Sequence, residues 1–184
     1  MRTKDSHIIS ILYAPARYTH HSHLPEIFQS SEIREDTLLN FWLLKHGELS
    51  DLPTKWQPDD VTFSLLISRW HHLPIVAHLI GGYLLRNRLP EMSAALMTDS
   101  RLLAFASLPL LHQLALDETN APLDTISYGV TFIMGQFPEL PIALRQRLML
   151  HFPSNMTLAQ FSAPKTPNHF NLLRMAFNYA HHYY

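Results

Sequence analysis

The chain has 184 residues, enough for one domain that buries roughly 70% of its unfolded surface. Charged residues make up 16% against 47% hydrophobic, and 14 basic residues face 15 acidic ones, so there is no basic surplus to hold a nucleic acid. The absence of cysteine excludes disulfides, thiolate zinc sites, Fe–S clusters and cysteine nucleophiles, and is compatible with a reducing cytoplasm.

A formal charge of −1 on so apolar a chain favours association and predicts a subunit that is poorly soluble without its partner. The opening MRTKDSHIISILYAPAR carries Ala14-Pro15-Ala16, superficially a cleavage site. Its apolar run spans only Ile8 to Tyr13, is broken at Ser10 and follows Asp5 and His7, which is too short for a signal peptide. From Leu102, LLAFASLPLLHQLAL is interrupted at Ser107, Pro109, His112 and Gln113, short of the roughly 18 unbroken apolar residues of a membrane span. The chain reads as soluble, without direct membrane insertion.

Residues 1–30 hold few helical cues and read as an irregular or partly extended arm, which Tyr13, Tyr18 and Phe28 can pin to a helical body of residues 31–184. Ser30-Ser31, with Glu32 and Glu35 in the first turn, can cap a helix that runs through DTLLNFWLLKH and stops at Gly47 in a left-handed conformation. Leu38, Leu39, Phe41, Trp42, Leu43 and Leu44 leave that helix little polar face, so it is expected to be central. After a loop over residues 48–58, Asp59-Asp60 is placed to cap the next helix.

The stretch FSLLISRWHHLPIVAHLIGGYLLRNRL carries the strongest periodicity. Phe63, Leu66, Ile67 and Trp70 share one helical face, and Val76, Leu79, Ile80 and Tyr83 share another. Between them Leu73-Pro74 ends one helix and starts the next, since proline lacks an N–H but suits a first turn. Two apolar faces joined by almost no loop predict a core hairpin that folds on itself or on a common third layer. A short helix is expected after Pro90, another capped by Asp99-Ser100 and broken or kinked at Pro109, and a surface loop at DETNAPLD. SYGVTFIMGQF suits a strand by its β-branched residues and a helix by its neighbours. Pro141 begins IALRQRLMLHF and Pro153-Ser154 ends it. APKTPNH is a second loop, and the last helix places Phe170, Leu173, Phe177, Ala180 and Tyr184 on one face. The reading is all-α, one compact domain of many short helices, with Trp42, Phe63, Leu66, Trp70, Pro74, Leu79 and Phe177 in its core.

Thirteen histidines are the compositional outlier. His20, His21 and His23 can in principle bind a divalent ion, but no carboxylate in the arm completes a set and no HExxH occurs. They read as surface or interface imidazoles, and His71-His72 and His181-His182 as helix-end residues favoured by the dipole. No nucleophile elbow, P-loop or GxGxxG is present. Gly81-Gly82 inside a predicted helix points to close approach of a neighbouring helix. Asp59-Asp60 and Asp117-Glu118 read as caps and solvated acids. Arg86 with Arg88 and Arg145 with Arg147 form small basic spots, solvated faces first and partner contacts second. No catalytic, metal or cofactor residue is identified.

YAPARYTHHSHLP, with Pro15, Tyr18, His20 and Leu24, resembles the opening motif of the SctK family, the type III secretion sorting-platform adaptor proteins. The resemblance continues at FWLLKHGE, at RWHHLPIVAHLIGGYLLRNRL, at ALRQRLMLHFP and at LLRMAFNYAHHYY. It is nearest the OrgA/MxiK branch, the YscK-like proteins being further members, and weakest over residues 95–140. It implies a non-enzymatic cytoplasmic accessory, peripheral to the inner membrane, that links the ring protein SctD to the pod protein SctQ and through it to the stator SctL and the ATPase SctN. It assigns no catalytic residue and no cofactor. Partner contacts are expected at Tyr13, Pro15, Tyr18, His20, Leu24, Arg86, Arg88, Arg145 and Arg147. Two other classes compete: a helical secretion chaperone or regulator that binds an apolar client segment, and a histidine-metal hydrolase.

Overall fold

The computed structural model describes residues 2–29, 36–54, 56, 61–109 and 123–184. The expected caps at Ser30-Ser31 and Asp59-Asp60 and most of the DETNAPLD loop lie outside them. Among the described residues the secondary structure is helical throughout, without a strand. The α-helices are α1 (Arg2–Tyr13), α2 (Glu26–Gln29), α3 (Asp36–His46), α4 (Val61–Ser68), α5 (Leu73–Leu84), α6 (Leu89–Met92), α7 (Ser100–Ala106), α8 (Thr125–Gln136), α9 (Ile142–Met149) and α10 (Pro167–Tyr183). Among the described residues, four 3-10 turns occur at Pro15–Arg17, His21–His23, Trp70–His72 and Leu96–Thr98. The all-α class is therefore as the sequence predicts, and SYGVTFIMGQF resolves as helix.

The chain forms two compact units, one of Met1–His71 with Glu139–Met156 and one of His72–Pro138 with Thr157–Tyr184. The expected hairpin divides here: α4 belongs to the first unit, where α1 packs on it, and α5 to the second, where α8 does. The apolar periodicity is real, because Leu66, Ile67, Trp70, Val76, Leu79, Ile80 and Tyr83 are all buried. It fixes which face is covered and not by what.

In the second unit α5 is the central helix, with α8, α7 and α10 packed around it. Pro74 sits in its first turn, and the residues around Gly81 are buried. A Cβ on Gly81 would land on the Thr125 backbone, and one on Gly129 would land on the Ala77 backbone. The two helices thus cross with each glycine taking the other's main chain, the close approach that Gly81-Gly82 predicts. Capping fixes the ends of the surrounding helices. Asp99 accepts from the N–H groups of Arg101 and Leu102 at 3.0 and 2.9 Å, Asp124 from Ser127 at 2.8 Å, and Thr166 from His169 at 3.2 Å. Residues 156–166 run without helix or turn, tied to α8 by three side chains. Ser127, Thr131 and Gln136 donate to the carbonyls of Thr157, Ala159 and Ala163 at 2.7, 2.8 and 2.9 Å.

In the first unit α1 packs on α4 and α9, and α3 on the Pro15–Arg17 turn. Four expectations need correction here. Residues 2–13 are helical and not irregular, with Ile11 and Leu12 buried. Only Leu39 and Leu43 of α3 are buried, while Leu38 and Phe41 are 51% and 60% exposed, so α3 is peripheral. The left-handed residue after α3 is Glu48, with φ 47°, and not Gly47. His71-His72 occupies the turn before α5, with His72 as its N-cap residue, the end where a dipole disfavours imidazolium. Of the expected core, Leu66, Trp70, Leu79 and Phe177 are buried and Trp42, Phe63 and Pro74 half-buried.

The glycine crossing yields a sign test. In an open helix Gly→Ala stabilises by about 0.5–1 kcal/mol. Gly129→Ala should instead destabilise by about 1–3 kcal/mol, because backbone must move to admit the methyl; a urea melt that shows net stabilisation would mean the helices do not cross there.

Candidate functional site

Around Tyr18 the first unit gathers most of its unusual chemistry. The Pro15–Arg17 turn sets Tyr18 so that its hydroxyl donates to the Ile11 carbonyl, while Thr19 Oγ1 donates to Pro15 O at 2.8 Å. The Tyr18 ring stacks on His151 at 4.7 Å between centroids and meets Trp70 edge-on at 6.0 Å. Trp70 is 1% exposed, and the buried Nε1 of Trp70 and Nε2 of His151 have no hydrogen-bond partner among the described residues. Burial, with some repulsion from His71, drives the His151 imidazole down to a pKa of about 3, and burial raises the Tyr18 phenol above its usual range.

Three histidines of the opening motif serve structure. His20 Nδ1 accepts from the Ser22 N–H at 3.3 Å, capping the His21–His23 turn, and His21 lies against its ring at 4.1 Å. Burial, then His21 and His23, hold the His20 imidazole below its ordinary pKa. His23 Nε2 donates to Phe152 O at 2.8 Å, the His20 N–H to Leu150 O at 2.7 Å, and the Ser154 N–H to Ser22 Oγ at 2.9 Å. This segment is stitched to the end of α9 by polar bonds. Among the described residues no group of three His, Asp or Glu is arranged to hold a metal ion.

Arg147 corrects the reading of its pair as a basic surface spot: it is 1% exposed. Its Nε donates to Leu12 O at 3.1 Å, and its Nη1 to Ser50 O and Ala143 O at 2.8 and 3.0 Å. One guanidinium thereby ties the end of α1, the loop after α3 and α9 together. Burial lowers its pKa, opposed by Tyr18, Asp51 and Tyr13. Next to it Gln146 accepts from the Ser50 N–H at 2.8 Å and donates to Glu48 O at 3.3 Å. Of the other residues expected to meet partners, Pro15 and Leu24 are buried, Tyr18, His20, Arg86 and Arg145 half-buried, and Tyr13 and Arg88 exposed. Arg86 stacks on Tyr83 at 4.6 Å and Arg88 pairs with Glu91 at 3.5 Å.

The second unit holds a Thr–His–Asp chain that sequence reading missed. His78 Nδ1 lies 2.8 Å from Thr125 Oγ1, and its Nε2 lies 3.5 Å from Asp99 Oδ2. Thr125 is 4% exposed at the helix crossing and Asp99 is engaged as the cap of α7, so the chain acts as a clasp between α5, α7 and α8.

Seven of the ten exposed large apolar side chains among the described residues belong to the first unit, including Ile9 and Tyr13 on α1, Leu38 and Phe41 on α3, and Ile142 on α9. No described helix is long and apolar enough to cross a membrane.

These features define an all-α protein whose buried polar groups tie helices together while apolar side chains remain outside. The family model of the bacterial type III secretion apparatus protein (OrgA_MxiK) matches residues 8–182. The chain belongs to that family, and it is a type III secretion apparatus protein. No curated protein and no solved structure matches it.

Two measurements probe the Tyr18–Arg147 region. Arg147→Ala should destabilise by roughly 3 kcal/mol or more in urea, since three carbonyls lose their donor, and Arg147→Lys should recover little because an ammonium lacks the planar fork. Below pH 6.5 the unfolded chain protonates His151 while the folded chain refuses the proton until about pH 3, so stability should fall on acidification. Its share is about 2 kcal/mol between pH 6.5 and 5, and His151→Phe should flatten the stability–pH curve across that interval.

Proposed function

We propose that this chain is a non-enzymatic cytoplasmic adaptor of a type III secretion system, seated at the inner membrane between the ring protein SctD and the pod protein SctQ. Through the pod it would stand one step from the stator SctL and the ATPase SctN. The observation that carries the reading is the family match across residues 8–182, and the apolar side chains left outside the first unit support it. An adaptor needs faces that prefer a protein neighbour to water, and Leu38, Phe41 and Tyr13 are of that kind. The buried tie at Arg147 and the partly exposed one at His78 support a role as a stiff spacer, since a linker that transmits position must not deform.

Affinity isolation of the full chain from cells that assemble the secretion system tests this. Co-purification of the ring protein and the pod protein together is the expected result. Recovery of a secreted client alone would overturn it in favour of a chaperone.

A further inference from the structure

The histidines of the opening motif lie on one side of a seam in the first unit, and His151 lies on the other. Residues 15–24 form a strap, and opposite them run residues 150–154 at the end of α9. Polar bonds join the two sides: the His20 N–H to Leu150 O at 2.7 Å, His23 Nε2 to Phe152 O at 2.8 Å, and the Ser154 N–H to Ser22 Oγ at 2.9 Å. Tyr18 closes the seam by stacking on the His151 ring at 4.7 Å. Helix α3 depends on the same strap. Its Leu39 and Leu43 share a buried cluster with Ala16 and Leu24, and its Asn40 Oδ1 accepts from the Ala16 N–H at 2.7 Å.

Two imidazoles, one from each side, hold this geometry only without an extra proton. His20 Nδ1 accepts from the Ser22 N–H at 3.3 Å and lies 2.9 Å from Ser22 Oγ, the oxygen that accepts from Ser154. A proton on Nδ1 turns that acceptor into a donor aimed at an N–H, and the cap of the His21–His23 turn is lost. His151 is 5% exposed, and its Nε2 has no hydrogen-bond partner among the described residues. Charging it in place would bury an imidazolium with an N–H that nothing accepts. His23 differs: its Nε2 donates to a carbonyl whether or not the ring carries a second proton.

The groups around these two imidazoles do not compensate a positive charge. His21, its ring 4.1 Å away, and His23 are the charges that act on His20, and residues 150–154 carry no titratable group besides His151. His151 faces the neutral Tyr18 phenol from the strap and His71 from the turn before α5. His7 on α1 lines a cavity with Tyr18 and His71, and Arg147 on α9 is a further cation. Asp51 acts on Arg147 and Glu26 opens α2, and neither carboxylate is among the charges that act on His20 or His151. Burial already holds both imidazoles below their ordinary pKa.

We infer that this seam is acid-labile: protonation of His20 and His151 parts the strap from the end of α9 while the second unit stays folded. Helix α3 moves with the strap on which it packs, so the shape of the first unit depends on pH.

Hydrogen exchange of the full chain, read by mass spectrometry and corrected for the pH dependence of intrinsic exchange, tests this between pH 7.5 and 5.5. Below about pH 6.5 the open seam takes up protons that the closed one refuses, so acid favours opening. The opening equilibrium over residues 15–24 and 150–154 should rise tenfold or more at the lower pH, and α5 and α8 should keep their protection. His20→Asn, whose amide caps the turn without titrating, and His151→Phe should each reduce the rise, and together remove it. His23→Ala should increase opening by a similar factor at both pH values and leave their ratio unchanged. Unchanged seam protection at pH 5.5, an equal loss of protection in α5 and α8, a full rise in the double variant, or a ratio that vanishes in His23→Ala each overturns the inference. If the double variant does not melt cooperatively, His20→Asn alone, at a half-buried position, decides: an undiminished rise in it overturns the inference.

Discussion

The approach of α5 to α8 is the constraint from which the second unit follows. Helices that carry side chains at their contact stay about 8–10 Å apart. Here Gly81 faces the Thr125 main chain and Gly129 faces the Ala77 main chain, so neither helix has a side chain to hold the other off. Once the backbones meet, the middle of α5 is covered on most sides: Val76, Ala77, Leu79 and Ile80 are fully buried, and His78 between them stays partly exposed. The polar groups drawn in with them must find partners, and they do: Thr125 with His78, Ser127 with the Thr157 carbonyl. Two glycines thus determine both the packing and where the buried hydrogen bonds go.

The first unit is held differently. Here one side chain gathers main-chain carbonyls from three places: Arg147 donates to Leu12 at the end of α1, to Ser50 in the loop after α3 and to Ala143 within α9. A buried guanidinium is expensive to desolvate, and no carboxylate among the described residues pairs with it. What it provides is placement, since its rigid fork admits few geometries for Leu12, Ser50 and Ala143. His151 adds a second buried polar ring, kept neutral by its surroundings. A unit built this way has a defined shape at some cost in stability.

How much of this was legible differs from residue to residue. The helix break at Leu73-Pro74 and the close approach at Gly81-Gly82 follow from local chemistry, and both stand in the structure. Gly129, the other half of the crossing, lay in a segment whose β-branched residues blurred helix and strand. Arg147 could have been found: it falls on the stripe of Ala143, Leu144 and Leu148, so a cation on an apolar face was visible. Its partners could not, because Leu12 and Ser50 lie 135 and 97 residues away and offer main-chain oxygens that no side chain announces. The burial of His151 left no trace in the pattern, since it arises from tertiary packing. The misjudged helix α3 is the more instructive case. Its lack of a polar face implied burial within the chain, yet Leu38 and Phe41 are outside.

That misjudgement bears on function. Hydrophobic periodicity reports that a side chain prefers not to meet water, and it does not say whether the cover belongs to the same chain or another. Where a strongly apolar helix proves peripheral, the surplus is a demand for a neighbour. The first unit carries most of this surplus, on α1, α3 and the start of α9, while the second buries nearly all of its own around α5. A division of labour follows: one unit is internally complete and stiff, the other is stiffened by polar ties and left apolar outside. The first unit's buried polar groups serve its shape: Arg147 holds three carbonyls together, and His151 stacks on the Tyr18 ring.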